Sequence, residues 1–289
     1  MRLPTDRTGE VVSLSRSSRL PGVDFWSVAD SERHWSMLHD TFTACFVHGP
    51  HGAVRGRWRS RGEERTVSAG CVQLMEAGEA HRTTVVTEPA SFFVVWWTPA
   101  ALSQAAAEVG VTGEIHWKEP QLDRQDLAST FSKLAQSVER GDDGAAVEHW
   151  FAEATGALLD TAADQNAERP RYTRRHPSVR RAIEYLRDNF TERVSLDDLA
   201  RESRLSKFHL ARCFRETTGL APHQYQKLLR MQAARRHLEH GLSVQEAAER
   251  SGFADGPHLT RTFREWLGVS PSQWAKAARA TKHGSLDAR

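Results

Sequence analysis

The last third of the chain repeats itself. Residues 195–225 (SLDDLARESRLSKFHLARCFRETTGLAPHQY) align with residues 243–274 (SVQEAAERSGFADGPHLTRTFREWLGVSPSQW). The offset is 48 residues up to Leu205/Phe253 and 49 from His209/His258 onward, so the one-residue slip falls in a turn. His-Leu-x-Arg-x-Phe-Arg-Glu-x-x-Gly-x-x-Pro-x-Gln recurs in both copies. Self-similarity of this kind means one structural unit used twice. Each unit reads as a helix-turn-helix. A tandem pair predicts two insertions into a nucleic-acid duplex, ~34 Å apart on one face.

In the first copy, Leu196, Leu199 and Ala200 give the first helix an apolar face. Ser203-Arg204-Leu205 forms the turn, and Ser206 is an N-cap for the second helix. Leu210 and Phe214, four residues apart, point to the core. Lys207, Phe208, Ala211, Arg212 and Arg215 are left on the outer face, where N-terminal side chains of a helix in a major groove meet base edges. In the second copy Leu259 and Phe263 face in, while Gly256, Pro257, Thr260, Arg261 and Arg264 face out. Pro257 suits a first helical turn, where its missing N–H costs nothing. Arg212 and Arg261 hold the same repeat position, and arginine grips guanine or phosphate through two parallel bonds. The competing reading for both is a surface ion pair. Arg215 and Arg264 fit either phosphate contact or a solvated helix surface. His209 and His258 read as packing or capping residues, with His258 a further candidate for base contact. Gly219, Pro222, Gly268 and Pro271 end one helix and begin the next.

Charge divides the chain. Residues 171–289 carry 23 Lys and Arg against 13 Asp and Glu, and residues 1–170 carry 16 against 24. A basic C-terminal third on an acidic body predicts a polyanionic partner for that third alone. The three cysteines (Cys45, Cys71 and Cys213) have no metal-ligand spacing, which fits a reduced, cytoplasmic setting. The first residues lack the apolar core of a signal peptide. No apolar run approaches the ~20 residues that a spanning helix needs.

Residues 1–25 read as a flexible arm. From about Phe25 to Thr98 the pattern is β. Phe42, Ala44 and Phe46 alternate with Thr41, Thr43 and Cys45, and Arg55, Arg57, Arg59 and Arg61 alternate with Val54, Gly56, Trp58 and Ser60. Residues 91–97 (SFFVVWW) read as a strand buried on both faces. Short strands broken by Gly and Pro suggest a sandwich or barrel. Two helical stripes follow, Leu127/Phe131/Leu134/Val138 and Val147/Trp150/Phe151/Ala154/Leu158. They fit a pairing surface between copies and intradomain packing equally. A polar, proline-bearing linker is placed at 164–177.

The C-terminal 110 residues or so resemble the AraC-type DNA-binding domain. The likeness rests on LDDLA, LSKFHLARCFRETTG-x-x-P-x-x-Y, RM-x-x-A-x-x-x-L and GF-x-D-x-x-H-L-T-R-T-F-R-x-x-x-G-x-SP. The resemblance implies a fold class of α+β in two domains: a cupin-like β-barrel sensor over 26–163 and an all-α double helix-turn-helix domain over 178–280. Its units lie at about 196–217 and 244–266, joined by a long helix from His223 to His240, with a tail at 281–289. It implies groove contacts at Phe208, Ala211, Arg212, Gly256, Pro257, Thr260 and Arg261. It further implies a homodimer, a small-molecule effector, double-stranded DNA and RNA polymerase as partners, and activation in the cytoplasm at the nucleoid. The sequence departs from the family at Ala211, which offers only a methyl, and at Gly256-Pro257, which replaces a polar pair. The first copy is therefore expected to carry more of the base preference.

Gly70-x5-Glu76-x-Gly78-x-x-His81 resembles the second cupin motif, with Glu in place of Pro. No His-x-His lies upstream, and a metal needs three or four convergent ligands; no metal, cofactor, catalytic residue or enzyme activity is expected. Seven of the nine Trp precede residue 151. Trp35, Trp58, His81 and Trp96 are the candidate effector residues, against the alternative that the rings simply fill the core. The arginine comb of residues 55–61 fits either an anionic effector or a solvated strand face. The alternative functions are a cupin-type metalloenzyme with a DNA-binding appendage and a DNA-binding protein without a ligand.

Overall fold

The computed structural model describes residues 2–5, 9–164 and 177–283. The interior of the expected linker, residues 165–176, and the last six residues of the expected tail lie outside the described residues.

Eleven strands are described: β1 Arg2–Pro4, β2 Val11–Arg16, β3 Val23–Ser31, β4 Ser36–Leu38, β5 Phe42–Val47, β6 Val54–Ser60, β7 Glu63–Ser68, β8 Val72–Met75, β9 Ala80–Val86, β10 Ala90–Trp97 and β11 Gln121–Leu122. They form a seven-stranded sheet, β1-β2-β3-β10-β5-β8-β11, and a four-stranded sheet, β4-β9-β6-β7. Every strand pairing among the described residues is antiparallel.

The larger sheet is buried on both faces, and β10 shows why its run of seven residues has so little polar character. Phe93, Val95 and Trp97 join Val23, Phe25, Ala44, Phe46, Val72 and Leu74 in one core. Against that face lie three helices: α1 Pro99–Glu108, α2 Gln125–Arg140 and α3 Gly144–Ala162. Val94 and Trp96 point the other way, with Trp26, Val28, Cys45 and Met75. A strand sandwiched this way must be apolar at consecutive positions, since alternation would bury a polar side chain on one side.

Two readings of the N-terminal half change. Residues 11–16 are a strand, not part of a free arm: Val12 and Leu14 are fully buried and pair through Val28 and Trp26 of β3. The alternation in VVSLSR is short but sufficient once β3 supplies an edge. The two helical stripes pack inside the domain. Leu127, Phe131, Leu134, Val138, Val147, Phe151, Ala154 and Leu158 all belong to the core beneath the larger sheet, with Trp150 partly buried against it, so these stripes serve intradomain packing.

Seven helices make up the described C-terminal part: α4 Pro177–Asp188, α5 Leu196–Ser203, α6 Lys207–Thr218, α7 Pro222–Glu239, α8 Val244–Arg250, α9 Gly256–Leu267 and α10 Pro271–His283. The repeat governs their local chemistry. Ser195 with Asp198 and Ser243 with Glu246 form capping boxes at α5 and α8. The two turns share a left-handed residue at the same repeat position, Arg204 (φ 56°) and Gly252 (φ 75°). Gly252 is required: a Cβ there would lie 2.5 Å from the carbonyl oxygen of Thr191, so the second turn rests directly on the loop before α5. The long helix α7 holds that loop too, through Arg230 Nε to Phe190 O at 2.7 Å and Gln226 Nε2 to Glu192 O at 2.7 Å. Leu196, expected on an apolar face, is 38% exposed at its helix start.

The two halves share a core. One apolar cluster runs from Trp26, Trp35 and Met37 through Trp96 to Met231, Leu238, Phe263 and Trp274. At its centre the Arg235 guanidinium lies over Trp96 (5.3 Å) and Trp274 (5.9 Å) and pairs with Asp40 at 3.1 Å. Arg235→Ala removes a largely buried, paired cation from over both rings and leaves Asp40 with only Arg236, at 3.6 Å. A loss of about 3 kcal/mol is expected, with urea unfolding of the halves separating into two steps. An unchanged single transition would show that the docking does not depend on Arg235.

Candidate nucleic-acid interface and effector cavity

Both second helices of the repeat present their N-terminal outer faces to solvent. Ser206 caps α6 by accepting from the His209 amide, and Asp255 caps α9 by accepting from the His258 amide at 2.6 Å. On α6, Phe208 is 89% exposed, an extreme value for a large apolar side chain that no packing requirement explains. Lys207 and Arg215 are exposed and Ala211 is half-buried. Arg212 is exposed and stands 3.9 Å from Glu216 one turn on. A solvated pair of that spacing contributes only about 0.3–0.5 kcal/mol, so the guanidinium can exchange Glu216 for a base edge or phosphate. Lys207 meets Asp197 at 3.0 Å, also on the surface.

The second face is poorer. Pro257, Arg261 and Arg264 are exposed and Thr260 is half-buried. Gly256 is buried, with its amide donating to Gln245 Oε1 at 3.2 Å, so it supports the turn and leaves Pro257 as the first exposed residue of α9. His258 packs edge-on against Phe253 at 5.3 Å. His209 lies 3.5 Å from both Cys213 Sγ and Arg212 Nη2.

The opposite ends of these two helices are held by the sheet half. Each ends at a left-handed glycine, Gly219 (φ 76°) and Gly268 (φ 72°). The Arg33 guanidinium lies flat on Gly268, with a Cβ there 2.8 Å from Nη2, and Nη1 donates to Arg264 O at 3.4 Å. The Arg59 stem crosses Gly219, where a Cβ would lie 3.3 Å from its Cγ and Cδ. The Arg61-Gly62 turn between β6 and β7 touches the Glu216 carbonyl so closely that a Cβ on Gly62 would overlap it. Arginine at a helix C-terminus also meets the favourable end of the helix dipole. None of these three contacts was read from the sequence; only the Gly-x-x-Pro repeat hinted that the two helix ends are equivalent.

Arg33 leads back into the sheet half. Its Nε donates to Glu10 Oε2 at 2.7 Å, Ser31 Oγ donates to Glu10 Oε1 at 2.6 Å, and Trp35 Nε1 donates to Ser31 Oγ at 3.1 Å. Arg33, Ser31 and Trp35 all line a cavity between the two sheets, with about 90 Å³ open to the centres of water-sized molecules. Trp58 and His81 also line it, whereas Trp96 stands behind Trp26 (rings 5.4 Å apart) and faces Trp274. The sequence reading missed Trp26, His39 and Thr43. Thr43 and Cys45 were visible as the alternate face of β5, but nothing marked that face as a cavity wall.

The arginine comb does not serve this cavity as a row of free cations. Arg55 pairs with Glu88, Arg57 with Glu64 at 3.1 Å, and Arg61 with Glu79 at 2.6 Å and Glu76 at 3.0 Å. His39 and His81 stack face to face, 5.1 Å apart and 4° from parallel. Burial pushes His81 down to about 4; burial first, then His81 and Arg235, pushes His39 well below the usual histidine range. Both rings are thus neutral at pH 7. Among the described residues no group of three or more His, Cys, Asp and Glu is placed to hold a metal ion.

These features define a class: a double helix-turn-helix protein whose readers are docked on a cavity-bearing sheet domain. Comparison with known proteins agrees. The family model described as "Helix-turn-helix domain" matches residues 199–277, and that described as "AraC-like ligand binding domain" matches residues 55–154. The chain thus carries an AraC-type helix-turn-helix domain and an AraC-like ligand-binding domain. It is 35% identical over 77 residues to the "Uncharacterized HTH-type transcriptional regulator YbfI" of Bacillus subtilis (strain 168), covering 27% of this chain and 28% of that one. It is 28% identical over 143 residues to the "HTH-type transcriptional activator RhaS" of Escherichia coli, covering 48% and 50%. The chain therefore spans half or less of the length of these two curated relatives. With RhaS of Shigella sonnei (strain Ss046) the match is 26% identical and covers 84% of each chain. Among solved structures, ToxT of Vibrio cholerae O395 aligns with 94% of this chain and 99% of that one, at 11% identity and a TM-score of 0.46.

The lowered histidines set a pH dependence. A His whose folded pKa lies below its unfolded value of about 6.5 leaves stability intact above that pH and removes it as pH falls toward 4. For His81 the loss is on the order of 3 kcal/mol between pH 7 and 4. His81→Asn should flatten the stability curve in that window relative to the parent, measured by urea unfolding at stepped pH; parallel curves would show that His81 does not titrate as described.

Proposed function

We propose that the chain is an effector-responsive transcriptional activator that binds double-stranded DNA through both helix-turn-helix units. One observation carries the responsive part: Arg33 touches the cavity on one side and the C-terminal end of the second recognition helix on the other. Any ligand that shifts Ser31, Trp35 or the Arg33–Glu10 pair changes how α9 is held. Arg59 and the Arg61-Gly62 turn give the first recognition helix, α6, a matching support.

The DNA-reading role is supported by the exposed Lys207, Phe208 and Arg212 on α6 and Arg261 on α9, on the basic third of the chain. Phe208 suits contact with thymine methyls or the sugar edge, and Arg212 a guanine. Ser206 and the pair Arg215 and Arg264 fit phosphate contacts that fix register. Gly256, buried, shapes the second reader without touching a base. Activation draws on the likeness to the RhaS activators; contact to RNA polymerase and pairing of two copies belong to the same proposal. Such pairing uses outward polar surface, because the helical stripes are spent internally. A regulator of this kind works in the cytoplasm at the nucleoid; among the described residues no helix is long and apolar enough to cross a membrane.

Selection of bound sequences from a random DNA pool tests the reading. Arg212→Ala should relax preference at one base position by about 1–3 kcal/mol, and Arg261→Ala should relax a position roughly one helical turn away, with the smaller effect. Uniform weakening on all sequences, for either variant, would reduce that arginine to a phosphate contact.

A further inference from the structure

The cavity between the sheets carries a definite chemistry. Besides the ion-paired Arg55, whose Nε is also unpartnered, four side chains on its wall have buried polar atoms with no hydrogen-bond partner: Trp26 Nε1, both ring nitrogens of His39, Thr43 Oγ1 and His81 Nδ1. Trp26 and His39 are each 3% exposed and Thr43 is fully buried. Buried polar atoms are rarely left unpaired, because each costs about 1–3 kcal/mol. Four around one space mark a place where a ligand's own polar groups complete the bonding.

Charge narrows the ligand. No Asp or Glu lines the cavity while Arg33 and Arg55 do, so an incoming cation meets like charge and no carboxylate. Its two arginines are matched: Arg33 with Glu10, both almost wholly buried, and Arg55 with Glu88. The imidazoles are neutral. A carboxylate entering here would lose its hydration and find no uncompensated cation. A sugar fares no better, since each of its hydroxyls demands a partner and most of the wall is apolar.

Shape narrows it further. Trp26, Trp35 and Phe92 meet edge to face at 5.2–6.0 Å and form one corner of an aromatic box, with Trp58 turned edge-on to His81 on the other wall. Rings so placed favour another ring, stacked or edge-on. At about 90 Å³ the cavity admits no more than one small ring, since an apolar cavity of about 150 Å³ takes up benzene.

We propose that this cavity binds a neutral, flat aromatic effector with one or two hydrogen-bonding groups, such as a phenol, an aromatic amide or an N-heterocycle, and discriminates against carboxylates and sugars. The inference rests on the reading of the sheet domain as the effector domain and names the chemical class that it takes.

The test is titration of the full chain, followed by tryptophan fluorescence and calorimetry, with phenol, benzamide and indole, and separately with benzoate and glucose. At least one neutral aromatic should bind saturably and at least tenfold more tightly than benzoate or glucose. Thr43→Val, nearly isosteric, should weaken that probe roughly three- to tenfold. His39→Phe should weaken it more, and thermal melting of both variants checks that they fold. Preferential binding of benzoate or glucose that is lost in Thr43→Val overturns the proposed class while leaving an effector domain in place. If no probe of either kind binds saturably, the proposed class is overturned. Parent-like binding in both folded variants would place the ligand elsewhere.

Discussion

The structure depends on a single strand with two faces. β10 sends Phe93, Val95 and Trp97 into the helix-backed core and Phe92, Val94 and Trp96 toward the cavity and the helical half. Because side chains alternate along a strand, neither set can move without the other. The helix layer of α1 to α3 therefore stiffens the floor of the cavity. Trp96, on the same face behind Trp26, is in turn the surface on which Trp274 and Arg235 dock. A shared core of this kind makes the two halves one mechanical body, not two beads on a linker.

The helical half is braced in the same spirit. Gly252 against Thr191 and the Arg230 clamp on Phe190 and Glu192 tie the second turn and the long helix to the first unit. The free ends of the two recognition helices then meet arginines of the sheet half, Arg33 at Gly268 and Arg59 at Gly219. The spacing of the two readers, which a duplex would measure against its own repeat, is thus held from the side opposite the DNA face. The readers are unequal. The first offers Phe208 and Arg212; the second begins with a buried glycine and a proline.

Much of this was legible in the sequence because the controlling interactions are local. Caps, turns and the i, i+4 core pairs of the repeat are fixed within a few residues of one another. α7, expected over His223–His240, runs Pro222–Glu239. The both-face burial of β10 followed from its continuous apolar run. What the sequence did not yield depends on distant partners. The β2 strand needed β3 to exist. Arg33 and Arg59 are ordinary charged residues until the fold brings each to a glycine more than 150 positions away, and Glu10 until it meets Arg33. His39 and Thr43 gain meaning only because nothing else satisfies them. The helical stripes were ambiguous for a related reason: an apolar face says that it will be buried, not by what.

The central claim is that cavity and readers are coupled through the Arg33 segment, and coupling between two sites is reciprocal. Hydrogen exchange on the full chain, with and without a selected DNA site, tests it most directly. Binding of DNA to α6 and α9 should alter exchange at residues 31–37, which carry Ser31, Arg33 and Trp35 and do not face the duplex. Changes confined to residues 195–283, with residues 31–37 exchanging as in the free protein, would contradict the account.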